Sequence, residues 1–174
     1  SEQSPFLAYF HLFSPHEPYR PRKQFTDIFP ELEIPFKAPT KFSTLDIDND
    51  HILWRRKTYD EFVADVDSEI EKLVNALDEA GVLENTYLIL TADHGELFER
   101  GEYGHVTRLL YDAVVHIPLL VIAPGQKSRV DVHHPTSNID LLPTLLHIAG
   151  KTADSDLEGR ILPGLGGSEE SRSL

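Results

Sequence analysis

Residues 86–95 read Thr-Tyr-Leu-Ile-Leu-Thr-Ala-Asp-His-Gly. The stretch Thr86 to Thr91 is rich in β-formers and lacks polar alternation, the pattern of a strand covered on both faces in a parallel sheet. Asp93 and His94 follow at its C-terminal end, and Gly95 lets the backbone turn sharply there. A carboxylate and an imidazole delivered together suit a divalent cation, which needs its charge neutralised and takes directional ligands. The same residues also read as an aspartate capping the next turn beside an exposed histidine, and two ligands do not complete a metal site.

Upstream, Tyr59, Phe62, Val63, Val66, Ile70, Leu73, Val74 and Leu77 recur in steps of three and four, which predicts one helix over about 50–80 stopped by Gly81. Residues 41–80 hold 11 carboxylates against 5 basic groups, a composition that predicts a solvated acidic helix face. Further upstream, Phe6 to Leu12 is a short apolar and aromatic run closed by Ser14-Pro15, expected to be a buried strand with His11 as a core histidine. Between them, Pro15, Pro18, Pro21, Pro30, Pro35 and Pro39 stand too close together for helix or central strand, so residues 14–49 are a long connection. A connection of that length is either a wall of a substrate cleft or a surface excursion.

Downstream, Pro118 to Ile122 forms a second strand before Pro124-Gly125, and a helix is expected from Asp140 as N-cap to just before Gly150. Residues 163–174, with Gly164, Gly166 and Gly167, read as a flexible tail. Alternating helix and strand predict an α/β fold, a mostly parallel sheet with helices on both faces. Ligands gather beyond the carboxyl ends of strands in such sheets, where the His16 turn and the Asp93-His94 pair would meet.

The whole chain has 174 residues, with 16 basic and 29 acidic side chains, a formal charge of −13 with histidine neutral. That surplus repels phosphate backbones, and the basic clusters at 20–23 and 55–57 are short, so nucleic acid is not the expected partner. No apolar run approaches the roughly 20 residues of a membrane span, and the N-terminal residues carry no secretory signal pattern. With no cysteine there is neither disulfide nor thiolate nucleophile, and the absence of methionine fits an excised piece of a longer protein.

Two further histidines are placed to do chemistry. His105, in Gly101-Glu102-Tyr103-Gly104-His105, sits on a glycine-flanked loop that can return over the Asp93 strand end, with Arg108 close behind. Together they could present positive donors to an anionic group, or form an ordinary surface loop. His16 lies between Pro15 and Pro18, where a restricted backbone either aims an imidazole as proton donor or anion contact, or simply makes a tight turn. Phosphate-loop, His-Glu-x-x-His and Gly-x-Ser-x-Gly patterns are missing, and no serine or threonine has a convincing nucleophile setting.

Taken in order, the stretches FLAYFHLFSPHEPY (6–19), YDEFVADVDSEIEKLVNALDEAGVLENTYLILTADHGE (59–96), GEYGHVTRLLYDAVVHIP (101–118), IDLLPTLLHIAG (139–150) and LEGR (157–160) resemble the C-terminal half of the catalytic domain of a sulfatase, in the alkaline phosphatase superfamily. The resemblance implies that residues 1–162 are the C-terminal portion of such a domain, its N-terminal half supplied elsewhere in the same protein. It implies Asp93 and His94 as metal ligands, and His16 and His105 as contacts to the transferred group and the leaving oxygen. Arg108 has no counterpart in the family and stands as a substrate contact on local grounds only. The implied cofactor is one divalent ion, calcium first, with manganese, zinc or magnesium admitted by the imidazole. The implied activity is metal-dependent hydrolysis of sulfate esters, and the implied partner a small-molecule sulfate or phosphate ester. The family's nucleophile motif, Cys/Ser-x-Pro-x-Arg, and its two further acidic ligands are not among these residues. The expectation is therefore a fragment holding half a site and exposing an unpaired sheet edge, inactive by itself. Phosphodiesterases, phosphonate hydrolases and phosphoethanolamine-type transferases of the same superfamily are the enzymatic alternative, and a non-catalytic α/β binding module is the other.

Overall fold

The computed structural model of the chain describes residues 5–29 and 48–168. It divides into two compact units, residues 1–125 and 126–174. Residues 30–47 of the predicted 14–49 connection lie outside the described residues.

In the first unit the longest element is α1, Asn49–Glu79. Asp48 caps its start, its side chain accepting from the Asp50 backbone N–H at 3.4 Å. Gly81, at φ +68°, ends it in the left-handed conformation that a side chain resists. The predicted stripe is only partly covered: Phe62, Val66, Ile70, Val74 and Leu77 are half-buried, while Val63 and Leu73 are exposed. Two carboxylates of the supposedly solvated face, Glu61 and Asp65, are buried instead. The 14–29 segment packs on them and satisfies them. Asp65 accepts from the Arg22 backbone N–H and Nε, both at 2.6 Å, and Glu61 accepts from the Asp27 backbone N–H at 2.6 Å.

Strand β1, Leu88–Thr91, pairs with β2, Leu119–Ile122, in the register Leu88 to Ile122 and Thr91 to Leu119. Both strands stand where the sequence puts them, but the pair is antiparallel, against the parallel arrangement expected of these two strands. The physical reason is the connection between them. A parallel return needs a crossover along the sheet face, whereas residues 92–118 stay at the C-terminal end of β1 and reverse there through the four-residue helix α2, Asp112–Val115. Leu90 and Leu120, directly opposite each other, are exposed. The first run of the chain is also corrected. Phe6 to Leu12 pairs with no strand among the described residues, its apolar side chains are exposed, and His11 is exposed rather than in a core. An extended segment is stable only where its backbone finds a partner.

Leu97, Phe98, Val114 and Ile52 form the buried apolar set of this unit. Gly95 lets two segments meet: its N–H donates to the Val114 carbonyl at 2.7 Å, and a Cβ there would lie 2.2 Å from the Ala113 carbonyl oxygen.

In the second unit, helix α3, Leu141–Ile148, follows a short turn. Asp140 stands at the N-cap of α3, as predicted, and Ser137 caps the preceding turn Asn138–Asp140 with Asp140 as its reciprocal partner, accepting from the Ser137 backbone N–H at 2.8 Å. The other Asp140 oxygen accepts from the Arg160 backbone N–H at 2.8 Å, and Thr144 links to the Leu162 backbone, so the 157–162 stretch is tied to the helix start. Residues 163–168 of the predicted tail close a turn, with Pro163 bridged to Gly167, and 169–174 lie outside the described residues.

Candidate active site

The end of β1 is followed by a narrow loop closed by one bridge. Leu97 and Gly104 exchange backbone hydrogen bonds, N–H to O at 3.1 and 2.9 Å, so His105 comes back beside Glu96 and over His94. The His94 and His105 rings stack with centroids 4.0 Å apart and planes at 24°. His16, brought in by a turn in which its N–H donates to the Phe13 carbonyl at 3.0 Å, meets His105 edge-on at 5.1 Å. Three imidazoles from positions 16, 94 and 105 thus share one place.

Each ring is held through the same atom. His16 Nδ1 lies 2.7 Å from the Glu17 carbonyl and His94 Nδ1 2.9 Å from the Gly95 carbonyl. A carbonyl oxygen only accepts, so both nitrogens carry the proton and Nε2 is left for a ligand or a substrate. His105 Nδ1 stands 3.3 Å from Oε2 of Glu96, whose side chain is 6% exposed. An ionised carboxylate also only accepts, which leaves the His105 Nε2 free in the same sense.

Asp93 is the outermost member. Its side chain is 74% exposed, its Oδ1 accepts from the His94 backbone N–H at 3.0 Å, and that oxygen is 3.7 Å from His94 Nε2. Two donors bound to one ion at about 2.1–2.4 Å, at roughly a right angle or wider, stand about 3–4 Å apart. The Asp93–His94 pair therefore fits one flank of a divalent cation. Among the described residues no group of three or more His, Cys, Asp or Glu is placed to complete the shell. Arg108 is exposed and makes no hydrogen bond or ion pair among the described residues.

Beneath Glu96 lies a cluster of Tyr19, Tyr59 and Phe98, with ring centroids 5.2–6.1 Å apart. Burial, then the Glu96 charge, pushes both phenols above their ordinary range, and the buried Tyr19 hydroxyl has no hydrogen-bond partner among the described residues. Glu96, Glu17, Tyr103 and Arg55 were not singled out from sequence. Glu96 could have been, since it directly follows the Asp-His-Gly turn; Arg55 lies in a basic triplet on a helix and carries no local signal.

A profile described as Sulfatase matches residues 1–151. The chain belongs to the sulfatase family. Among relatives of the sulfatase chain are a Sulf-1 homolog of Caenorhabditis elegans, 29% identical over 176 aligned residues (91% of this chain, 24% of that protein), and Arylsulfatase K of Canis lupus familiaris, 36% identical over 105 residues (60% of this chain, 19% of that protein). The chain thus spans about a quarter or less of the length of these relatives. Among solved structures, phosphonate monoester hydrolase SpPMH from Silicibacter pomeroyi superposes with a TM-score of 0.73 at 28% identity, covering 85% of this chain and 34% of that one. The α/β fold class of the sulfatase chain is supported by that neighbour; within the described residues the sheet itself is the two-stranded antiparallel pair. No described helix is long and apolar enough to cross a membrane.

Proposed function

We propose that the chain supplies the metal-binding edge and the leaving-group side of an active site that hydrolyses sulfate esters. The observation that carries this is the convergence of His16, His94 and His105, each anchored through Nδ1, beside the Asp93 carboxylate.

Asp93 and His94 would hold one divalent cation, calcium by preference. When bound, such an ion polarises a non-bridging oxygen of the ester. The rest is done by the chain's own side chains. His16 and His105 present Nε2 toward the transferred group; in the imidazolium form, with protons on both ring nitrogens, the Nε2–H meets the negative charge that builds on its oxygens. One of the two gives its proton to the ester oxygen as the sulfur–oxygen bond breaks, so the alcohol leaves neutral. Glu96, its side chain buried, keeps the His105 ring from turning through its contact with Nδ1. The attacking oxygen is assigned to a residue outside these 174, because they hold no Cys/Ser-x-Pro-x-Arg motif. The substrate is accordingly a small sulfate ester, and the chain alone turns over nothing.

A phosphonate ester is the second reading, favoured by the fold's likeness to a phosphonate monoester hydrolase. The two separate in one assay. The full-length protein is given 4-nitrophenyl sulfate, 4-nitrophenyl phenylphosphonate and bis(4-nitrophenyl) phosphate under identical conditions. The sulfate reading expects the highest kcat/KM on the first, and preference for the phosphonate would replace it with the second. No turnover of any of the three overturns both.

A further inference from the structure

We propose that Arg55 is a positioning residue, a clamp that fixes the spacing between the His16 and His105 imidazoles by holding both of their loops to helix α1; the proposal rests on the assignment of those two rings to the transferred group. Arg55 sits one turn beyond the start of α1, with its side chain 18% exposed. It uses its guanidinium in two ways at once. The edge makes an ion pair through Nη1 to Oε1 of Glu17, while Nε donates to His51 Nε2 at 2.9 Å, one helical turn back. The face lies over the Tyr103 ring, with Cζ 4.0 Å from its centroid.

Each of these partners is coupled to one imidazole. Glu17 follows His16 directly, and its carbonyl accepts the hydrogen bond from His16 Nδ1 at 2.7 Å, so fixing the Glu17 side chain fixes the acceptor that orients the ring. Tyr103 precedes His105 by two residues, across the glycine whose backbone bridges to Leu97. His16 and His105 are remote in sequence, yet their rings are 5.1 Å apart. Arg55 reaches from a rigid helix to the loops that carry both. Burial works to lower the Arg55 ionisation, and the Glu17 hydrogen bond with the nearby charges more than reverses this, so the clamp stays charged. Only a planar cation can pair edge-on with a carboxylate while stacking on a ring; a lysine ammonium can keep the charge but not both contacts.

The test compares wild type, Arg55→Lys, Arg55→Ala and, as a neighbouring-charge control, Arg56→Ala. The nuclear Overhauser effect between His16 and His105 ring protons is recorded in the chain, with circular dichroism as the check on folding. Steady-state kinetics on 4-nitrophenyl sulfate follow in the full-length protein. The clamp predicts the ring-to-ring signal in wild type and Arg56→Ala, and its loss in both Arg55 variants at unchanged helix content. It also predicts a kcat about 10–100-fold lower, with KM little moved, in Arg55→Lys. Should Arg55→Ala fail to fold, Arg55→Lys decides. The proposal is overturned if wild type lacks the signal, or if Arg55→Lys keeps both signal and kcat. If the full-length wild type hydrolyses no ester while the signal behaves as described, the clamp stands and the enzymatic assignment falls.

Discussion

Two short apolar stretches of this molecule each end in a turn that carries a histidine: β1, which leads to His94, and residues 6–13, which lead to His16. Among the described residues only β1 is paired with another strand, β2, and its turn leads directly into the buried Leu97. The earlier stretch exposes Phe6, Leu7, Tyr9, Phe10, Leu12 and Phe13, and its histidine is held from outside, by Arg55 through Glu17. One histidine is thus placed by the sheet, and the other by its own turn together with a side chain on a helix. A strand end can aim a ligand with its own hydrogen bonds, whereas an unpaired segment needs an anchor from another element.

The largest effect should come from the sheet-placed side. Leu97 is fully buried, and its backbone holds Gly104 and hence His105. Leu97→Ala should cost about 2–5 kcal/mol in urea unfolding. A loss under about 1 kcal/mol would mean that the loop does not depend on that core.

The anchored side should show itself in pH dependence. Burial works to raise the Asp65 carboxyl, and hydrogen bonds from the Arg22 side chain and backbone overcome this and hold it below the usual carboxylate range. The unfolded chain then binds more protons, so this stabilisation is complete above an ordinary aspartate value near about 3.9 and is lost as pH falls through the lower folded value. Unfolding midpoints measured from pH 6 down to pH 2, about the span of the carboxylate range, should fall more steeply in wild type than in Asp65→Asn. Parallel curves would show that the 14–29 segment is not fastened through Asp65.

The smallest effect belongs to the unpaired stretch. Phe10, 74% exposed, should tolerate Phe10→Ser within about 0.5 kcal/mol. The same substitution should reduce self-association of the chain in sedimentation velocity, because exposed apolar segments and open strand edges invite pairing. A stability loss well beyond that range would mean that the stretch is packed in solution and would dissolve the contrast with β1.

The same contrast explains what could be read in the sequence. The helix over 49–79, both strands and the Asp93-His94 turn were legible because each rests on a local pattern: a repeat of three and four, a β-rich run, a glycine stop. Strand direction was not, since residues 92–118 turn back on themselves through tertiary hydrogen bonds, such as that from Gly95 to Val114. Burial of Glu61 and Asp65 was not legible either, because it depends on backbone N–H groups of Arg22 and Asp27 far away in the chain. The three histidines could be nominated one by one. Their convergence, and the parts played by Glu96 and Arg55, are products of the fold.

The most direct test of the central claim is calorimetric titration of calcium and manganese into the full-length protein, its Asp93→Ala variant and Arg108→Ala. The account predicts one ion bound by wild type and by Arg108→Ala, with affinity at least about 10–100-fold weaker in Asp93→Ala. Equal binding by all three proteins, or no binding by any, would contradict it.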